Sequence, residues 1–318
     1  MPFQMVVLTP HLAPLISELD HLVRAIGFSS FVMNWLGVDE EGNVKTPVYT
    51  YAQSGQSLSD AVERLRVHPE QKTIWKRTGT PWFHSSYAAA RILERSYSEA
   101  QSQEILRWTT VCSYMISQWM GVRPYHVPVS YSEASWTGML DLDSVMWSTD
   151  VLNILSLNAE ALPPLCDFCD FEGSMGASSP GGRRWKALCN VKIFLAVGDG
   201  ACANMGSGSV DQSSLAVTVG TSAAVRMVVP QAWRDNFEPN GLWLYRISKD
   251  KLLYGGAISD GGYFLDWFLQ LSCCFSTGHD WSELEERAMV VPIGSSGVTA
   301  LPFLSGERAS GESERDRT

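Results

Sequence analysis

From His11 to Ile26, apolar side chains fall at Leu12, Leu15, Ile16, Leu19, Leu22, Val23 and Ile26, the spacing of an amphipathic helix. A short apolar segment from Ala25 through Phe28 to Met33 reads as a buried strand. Leu36 to Val44, with Asp39-Glu40-Glu41-Gly42-Asn43 at its centre, reads as a hairpin with an acidic turn. Helical spacing then dominates from Ser57 to Gly121, with helices expected near 58–66, 86–96, 99–106 and 108–120, and another from Ser148 to Leu157. The Gly- and Ser-rich stretch from Phe171 to Arg184 is expected to be an exposed loop. Val191 to Val197 is an apolar strand that runs into Gly198-Asp199-Gly200, and two β-type runs between Leu215 and Val229 flank Gly220-Thr221-Ser222. Gly255-Gly256 and Gly261-Gly262 precede an apolar helix from Tyr263 to Leu271, and a last strand is expected near Val298 to Leu304.

Apolar strands, helices and glycine turns mixed in this way argue an α/β fold. Composition and turn density change near residue 197, so the expected division is 1–197 and 198–309. Beyond Ala309 the chain is strongly charged and has no large apolar residue, and 310–318 is expected to be a disordered tail.

Composition narrows the class. The 318 residues are 45% hydrophobic and 18% charged, with 12 Trp, 12 Phe and 10 Tyr, which describes a globular protein. Thirty-four acidic against 24 basic residues give a formal charge of −10, so nucleic acid and anionic membrane are not expected partners. Any phosphate must be held locally, by backbone N–H groups, a metal ion or a few placed cations. No apolar run approaches the roughly 20 residues of a membrane helix. Met1 to Leu19 lacks a basic start and carries Pro10 and Pro14, a poor signal peptide, so a cytoplasmic protein is expected. Seven cysteines, with Cys273 and Cys274 adjacent, read as free thiols. Cys166-x-x-Cys169 with Cys189 has the beginnings of a zinc site, but no second pair follows at a suitable spacing.

Three places carry candidate chemistry. Asp199, between two glycines after an apolar strand, reads first as a helix N-cap, a reading compatible with a carboxylate at the carboxyl end of a strand, where α/β proteins place ligands. Gly220-Thr221-Ser222 offers N–H groups and hydroxyls to an anion, or is an ordinary hairpin turn. Gly261-Gly262 ahead of a helix permits close approach to a phosphate or close helix–sheet packing. A Walker phosphate loop, a G-x-S-x-G elbow and an H-E-x-x-H pair are absent from the sequence.

Taken in order, several segments resemble the FGGY family of carbohydrate kinases. Ala25-Ile26-Gly27-Phe28-Ser29-Ser30-Phe31, Gly37-Val38-Asp39 and Thr46-Pro47 resemble the middle of that family's first domain, and Tyr131-Ser132-Glu133-Ala134-Ser135-Trp136-Thr137-Gly138 resembles its Y-S-x-A-S-x-T segment. Leu162-Pro163-Pro164 follows. Gly198-Asp199-Gly200-Ala201-Cys202-Ala203-Asn204 resembles the catalytic segment in its gluconokinase-like form, and Thr218-Val219-Gly220-Thr221-Ser222 the phosphate-contacting hairpin. Gly255 to Gly262 and Leu301-Pro302-Phe303-Leu304-Ser305-Gly306-Glu307-Arg308 complete the series.

The resemblance implies two actin-like (ribonuclease H-like) domains, both incomplete here, with the site in the cleft between them. It implies ATP-dependent phosphorylation of a sugar or sugar acid, gluconate leading, with Asp199 as general base. Gly220, Thr221, Ser222 and Gly262 would contact ATP, with Mg²⁺ bridging its phosphates, and Tyr51, Gln53, Gly198 and Asp199 would lie on the substrate side. The family's opening D-x-G-T-[ST] loop is not found before the first matching strand, and its adenosine motif is not reached by Thr318. Its W-x-D-x-R segment stands here as Tyr51-Ala52-Gln53-Ser54-Gly55, without the acid and the cation. These departures keep open a second reading, a non-catalytic remnant or a sugar- or partner-binding pseudokinase. The apolar helix from Tyr263 leaves two covers open, further chain or another subunit in a homo-oligomer.

Overall fold

The computed structural model describes residues 23–51, 55–96, 107–271, 281–301 and 304. The expected helix over 11–22, the helix at 99–106, Gln53, the pair Cys273 and Cys274, residues 302–303 and 305–308, and the 310–318 tail lie outside the described residues.

The first described elements are β1 (Ala25–Ile26) and β2 (Ser29–Ser30), so Ile26 lies in a strand rather than in the helix its spacing suggests. The expected strand to Met33 reaches only Ser30, and Met33 itself sits at a φ of 59°, in the left-handed region where no strand continues. β3 (Leu36–Val38) enters the acidic turn, which closes as expected: Val38 bridges Val44 and the Asn43 N–H donates to the Asp39 carboxylate at 2.8 Å. Helix α1 (Gln56–Arg66) buries Leu58, Ala61 and Leu65, one stripe of its surface, at about 1.5–3 kcal/mol for each leucine. α2 (Gln71–Thr78) ends on Gly79 at a φ of 70°, and α3 (Ala88–Ser96) packs on α1. The helix expected from 108 begins later. β4 (Arg107–Thr109) pairs antiparallel with β3, and Thr110 caps α4 (Val111–Met120) by accepting the Ser113 N–H at 3.2 Å.

Ser130, ending β5 (Val129–Ser130), caps α5 (Tyr131–Ser135), and the hairpin of β6 (Leu140–Asp141) and β7 (Met146–Trp147) leads to α6 (Thr149–Ile154), capped by Ser148. β8 (Leu165–Cys166) lies parallel to β5. The stretch 171–184 is not an exposed loop. It contains β9 (Gly173–Ser174) and α7 (Pro180–Arg184), a short helix capped by Ser179. Its glycines serve close packing: a Cβ on Gly181 would stand 2.9 Å from the Trp119 carbonyl oxygen of α4, and one on Gly182 2.0 Å from the Gly176 carbonyl oxygen. β10 (Lys192–Ile193) and β11 (Val197–Gly198) then run parallel to β1 and β2.

After α8 (Asp199–Gly206) comes one antiparallel sheet in the order β12 (Ala216–Val219), β13 (Ala223–Pro230), β15 (Lys251–Ile258) and β14 (Trp243–Arg246). Alternation along β13 sends Val228 to one cluster, with Tyr87, Trp136, Trp243 and Tyr245, and Val229 to the main core of Trp35, Leu58, Trp82, Leu140 and Leu244. The sheet is therefore buried on both faces at its centre and shares its core with residues far earlier in the chain. α9 (Gly262–Leu271) forms as expected; it buries Leu269 and exposes Tyr263, Leu265, Trp267 and Phe268. After α10 (Trp281–Met289), residues 298–301 form no strand, following a turn at Ser295–Gly297 in which Gly294 and Gly297 both have positive φ. Among the described residues no helix is long and apolar enough to cross a membrane.

Candidate functional site

Two parallel strand ends, β2 and β11, lie side by side, and the chain leaves β11 into α8 at Gly198. Gly198 is buried and must be glycine: a Cβ there would stand 2.7 Å from Val32 Cγ1 and 3.2 Å from Trp136 Nε1. Its N–H donates to Ser132 Oγ at 3.1 Å, tying the strand end to α5. Asp199 is not the N-cap that its flanks suggest. Gly198 occupies the cap, and Asp199 is the first helical residue, exposed, its Oδ1 accepting the Gly200 N–H at 2.8 Å. A carboxylate in the first turn is favoured by the helix dipole, and it leaves the side chain at the surface of a cleft. Asn204, fully buried one turn on, donates from Nδ2 to the Arg226 carbonyl at 3.2 Å and so seats α8 on β13.

That cleft holds about 220 Å³. Its lining brings Phe31 to Met33 and Tyr51 together with Asp199, Gly200, Ser222, Arg226 and Ala257. Aromatic rings form the floor: Trp136 stacks on Tyr245 with centroids 3.5 Å apart, Trp243 leans on Tyr245 at 4.5 Å, and the Tyr87 and Tyr245 hydroxyls share a hydrogen bond of 2.5 Å. Burial, with the Tyr87 hydroxyl beside it, raises the Tyr245 phenol well above its ordinary pKa, so it stays neutral. A larger cavity of about 760 Å³ opens between α1, α2 and the sheet, lined by Arg66, Lys72, Trp75, Phe83 and residues 223–225 and 256–258. It contains no carboxylate to accept a proton, whereas the smaller cleft contains Asp199.

The hairpin between β12 and β13 turns through Gly220, Thr221 and Ser222, and the residues before α9 press directly on it. Gly261 N–H donates to the Thr221 carbonyl at 2.8 Å, Gly262 N–H to the Gly220 carbonyl at 2.6 Å, and Gly220 N–H to the Ser222 carbonyl at 2.8 Å. The contact needs glycine at 261, since a Cβ there would lie 2.7 Å from the Ser222 carbonyl oxygen. The two glycine signals in the sequence are thus halves of one latch, and three of its N–H donors are engaged by it. Among the described residues, the hydroxyls of Thr221 and Ser222 make no hydrogen bond.

Of the sequence-expected residues, Asp199, Ser222 and Tyr51 line one cleft; Gly198 lies beneath it; Gly220, Thr221 and Gly262 form the adjoining latch. Arg226 was not among them. Only alternation along β13, with Ala224 and Val228 on its face, hints at where it points. Its Nη1 donates to Thr218 Oγ1 at 3.3 Å, and its Nε lies 3.1 Å from where a Cβ on Gly200 would stand. Burial lowers its proton affinity, and the Asp199 carboxylate partly restores it. Behind the floor, Glu133 is only 4% exposed and its acid is pushed up to about 8 by burial, against the hydroxyls of Thr110 and Ser30. Of the cysteines weighed for zinc, Cys169 Sγ donates to Asp167 Oδ1 at 3.3 Å and Cys189 Sγ to the Gly182 carbonyl at 3.5 Å. Among the described residues no group of three ligands that could hold a metal assembles.

Residues 8–206 match the FGGY family of carbohydrate kinases, N-terminal domain. That match runs past residue 197 and includes Asp199. A gluconokinase of Bacillus subtilis is 24% identical over 297 residues, 90% of this chain and 55% of its own length. A xylulose kinase of the same organism is 28% identical over 185 residues, 57% of this chain and 35% of its own. In solved structures, gluconate kinase from Lactobacillus acidophilus superposes with a TM-score of 0.79 at 24% identity, over 94% of this chain and 58% of its own. Xylulose kinase from Rhodospirillum rubrum gives 0.81 at 18% identity, over 95% and 60%. These likenesses establish the α/β, actin-like (ribonuclease H-like) fold, and the chain spans between about a third and 60% of the length of these relatives.

Proposed function

Because the chain belongs to the FGGY family of carbohydrate kinases, we propose that it transfers the terminal phosphoryl group of ATP to a hydroxyl of a sugar or sugar acid. The observation that carries this reading is Asp199: the single carboxylate among the lining residues of an aromatic-floored cleft that also includes Ser222, and it follows a strand end. A sugar's C–H faces suit the ring floor, and its hydroxyls suit the polar rim. Asp199 takes the proton from the reacting hydroxyl as its oxygen attacks phosphorus. Tyr51 lines the cleft on the proposed substrate side, the resemblance of residues 51–55 assigns Gln53 to substrate contact, and Gly198 acts by leaving room for the strand to turn. Gly220, Thr221, Ser222 and Gly262 stand on the nucleotide side, where the Thr221 and Ser222 hydroxyls are the ready donors and the latch glycines serve after it opens.

Magnesium fits as a companion of the nucleotide. A lining with one carboxylate matches an ion that keeps waters and binds mainly phosphate oxygens, where it neutralises their charge. The Gly-Asp-Gly-Ala-Cys-Ala-Asn form at 198–204, with gluconokinases among the relatives, supports gluconate as substrate. A cytoplasmic setting, with ATP and reduced thiols, and a junction between two domains near 197 belong to the same reading.

The engaged N–H groups of Gly220, Gly261 and Gly262 favour a second reading, a protein that binds a sugar without turnover. ADP release with Mg-ATP and gluconate, xylulose, ribulose or glycerol separates the two. Sugar-dependent turnover that falls roughly 10²–10⁴-fold in Asp199→Asn, with the fold intact, supports the kinase. A folded wild type that is silent on all four substrates sinks it.

A further inference from the structure

Resting on the carbohydrate-kinase reading, we propose that Arg226 grips an oxyanion of the reacting pair beside Asp199. The ligand is either the carboxylate of a sugar acid or the phosphoryl group in transfer, which share one chemistry.

The cleft contains one full positive and one full negative charge among its lining residues, Arg226 and Asp199. The protein carries a net −10, so an anion approaching it is repelled overall and needs a cation placed at its destination. Arg226 is that cation. It projects from the cleft face of β13, half-buried, over the gap left by glycine at 200. A guanidinium has five N–H donors in a fixed fork. One reaches Thr218 Oγ1, and among the described residues no carboxylate lies within the 4 Å of an ion pair. Asp199 acts on it only from longer range. A partly desolvated guanidinium without an anionic partner is held at a disadvantage that a bound carboxylate or phosphate removes, two oxygens at a time. The same position beside Asp199 places the positive charge next to the hydroxyl that the aspartate deprotonates.

The test is calorimetric titration of D-gluconate, inorganic phosphate and D-xylulose into wild type, R226Q and R226K, each checked for its fold by near-UV circular dichroism. In R226Q the affinity for at least one anion drops roughly 10- to 100-fold, the loss of a charge-assisted hydrogen bond, while the neutral xylulose is unchanged. R226K falls between. A drop confined to gluconate assigns the carboxylate, and one confined to phosphate assigns the phosphoryl group. If R226Q does not fold, G200A takes its place: its methyl crowds the guanidinium by a few tenths of an ångström and lowers anion affinity alone. Anion affinities equal to wild type in the folded variants, a wild type that binds neither anion, or an equal loss of xylulose overturns the proposal. The readout is binding, so it is independent of turnover, and a chain that binds gluconate through Arg226 yet releases no ADP sinks only the kinase reading.

Discussion

Replacing Glu133 with Gln changes one proton and nothing in size. The carboxyl is buried in α5, Thr110 Oγ1 donates to Oε2 at 3.1 Å, and Oε1 has no partner among the described residues. Burial pushes its pKa up from 4.5 to about 8. The unfolded chain therefore loses this proton first, and the native state holds it until the higher value. Stability from this group is fully present below pH 4.5 and is lost as pH rises through the window to about 8, at about 1.4 kcal/mol per pH unit. Across the window the loss is on the order of 5 kcal/mol, comparable with the whole stability of many domains. Gln cannot ionise. Urea denaturation followed by tryptophan fluorescence at pH 5, 6, 7, 8 and 9 gives the comparison. The two proteins agree within about 1 kcal/mol at pH 5. Glu133→Gln then gains on wild type at close to one proton's slope, and the gap levels off above pH 8. Curves that stay parallel from pH 5 to 9 would refute the buried neutral acid.

Two further predictions concern the frame around the site. At Gly79 (φ 70°) a Cβ would fall 2.0 Å from the Leu244 carbonyl oxygen, so Gly79→Ala lowers the urea midpoint by the equivalent of roughly 2–4 kcal/mol, and a loss under 1 kcal/mol would count against that packing. Burial alone would raise the Asp141 carboxyl, but the N–H groups of Ser144 and Asp143 and the Arg77 guanidinium hold it below its ordinary value. Its contribution is present above the unfolded pKa and fades as pH falls through the folded one, so Asp141→Asn flattens acid unfolding below about pH 4, measured by circular dichroism from pH 5 to 2.

Much of the site was legible because local signals agree there. The apolar run ending at Gly198-Asp199-Gly200, the Gly220–Ser222 turn and the helix after Gly262 each depend on residues close in sequence. What sequence could not supply was apposition. Tyr87 meets Tyr245 across 158 positions, and no local pattern marks either as part of a cleft floor. Arg226 looks like a surface cation until Gly200 is seen to make room for it. β14 is not legible because Trp243–Arg246 is buried throughout, which removes the alternation that betrays a strand, and in β15 Gly255-Gly256 carries the look of a turn. Glycines at 181 and 182 misled in the opposite sense, since the residue that frees a loop also lets two helices touch.

The pairing of β1 with β10 and of β2 with β11 has a consequence for synthesis. Ala25 pairs with Lys192, and Ser29 with Val197, so β1 and β2 wait for partners that emerge about 170 residues later. At about 5–20 residues per second, that is roughly 8 to 35 s on the ribosome. Throughout that interval β1 and β2 lack the partners that β10 and β11 later provide. The strand ends from which Asp199 projects are thus completed only once synthesis has reached residue 198.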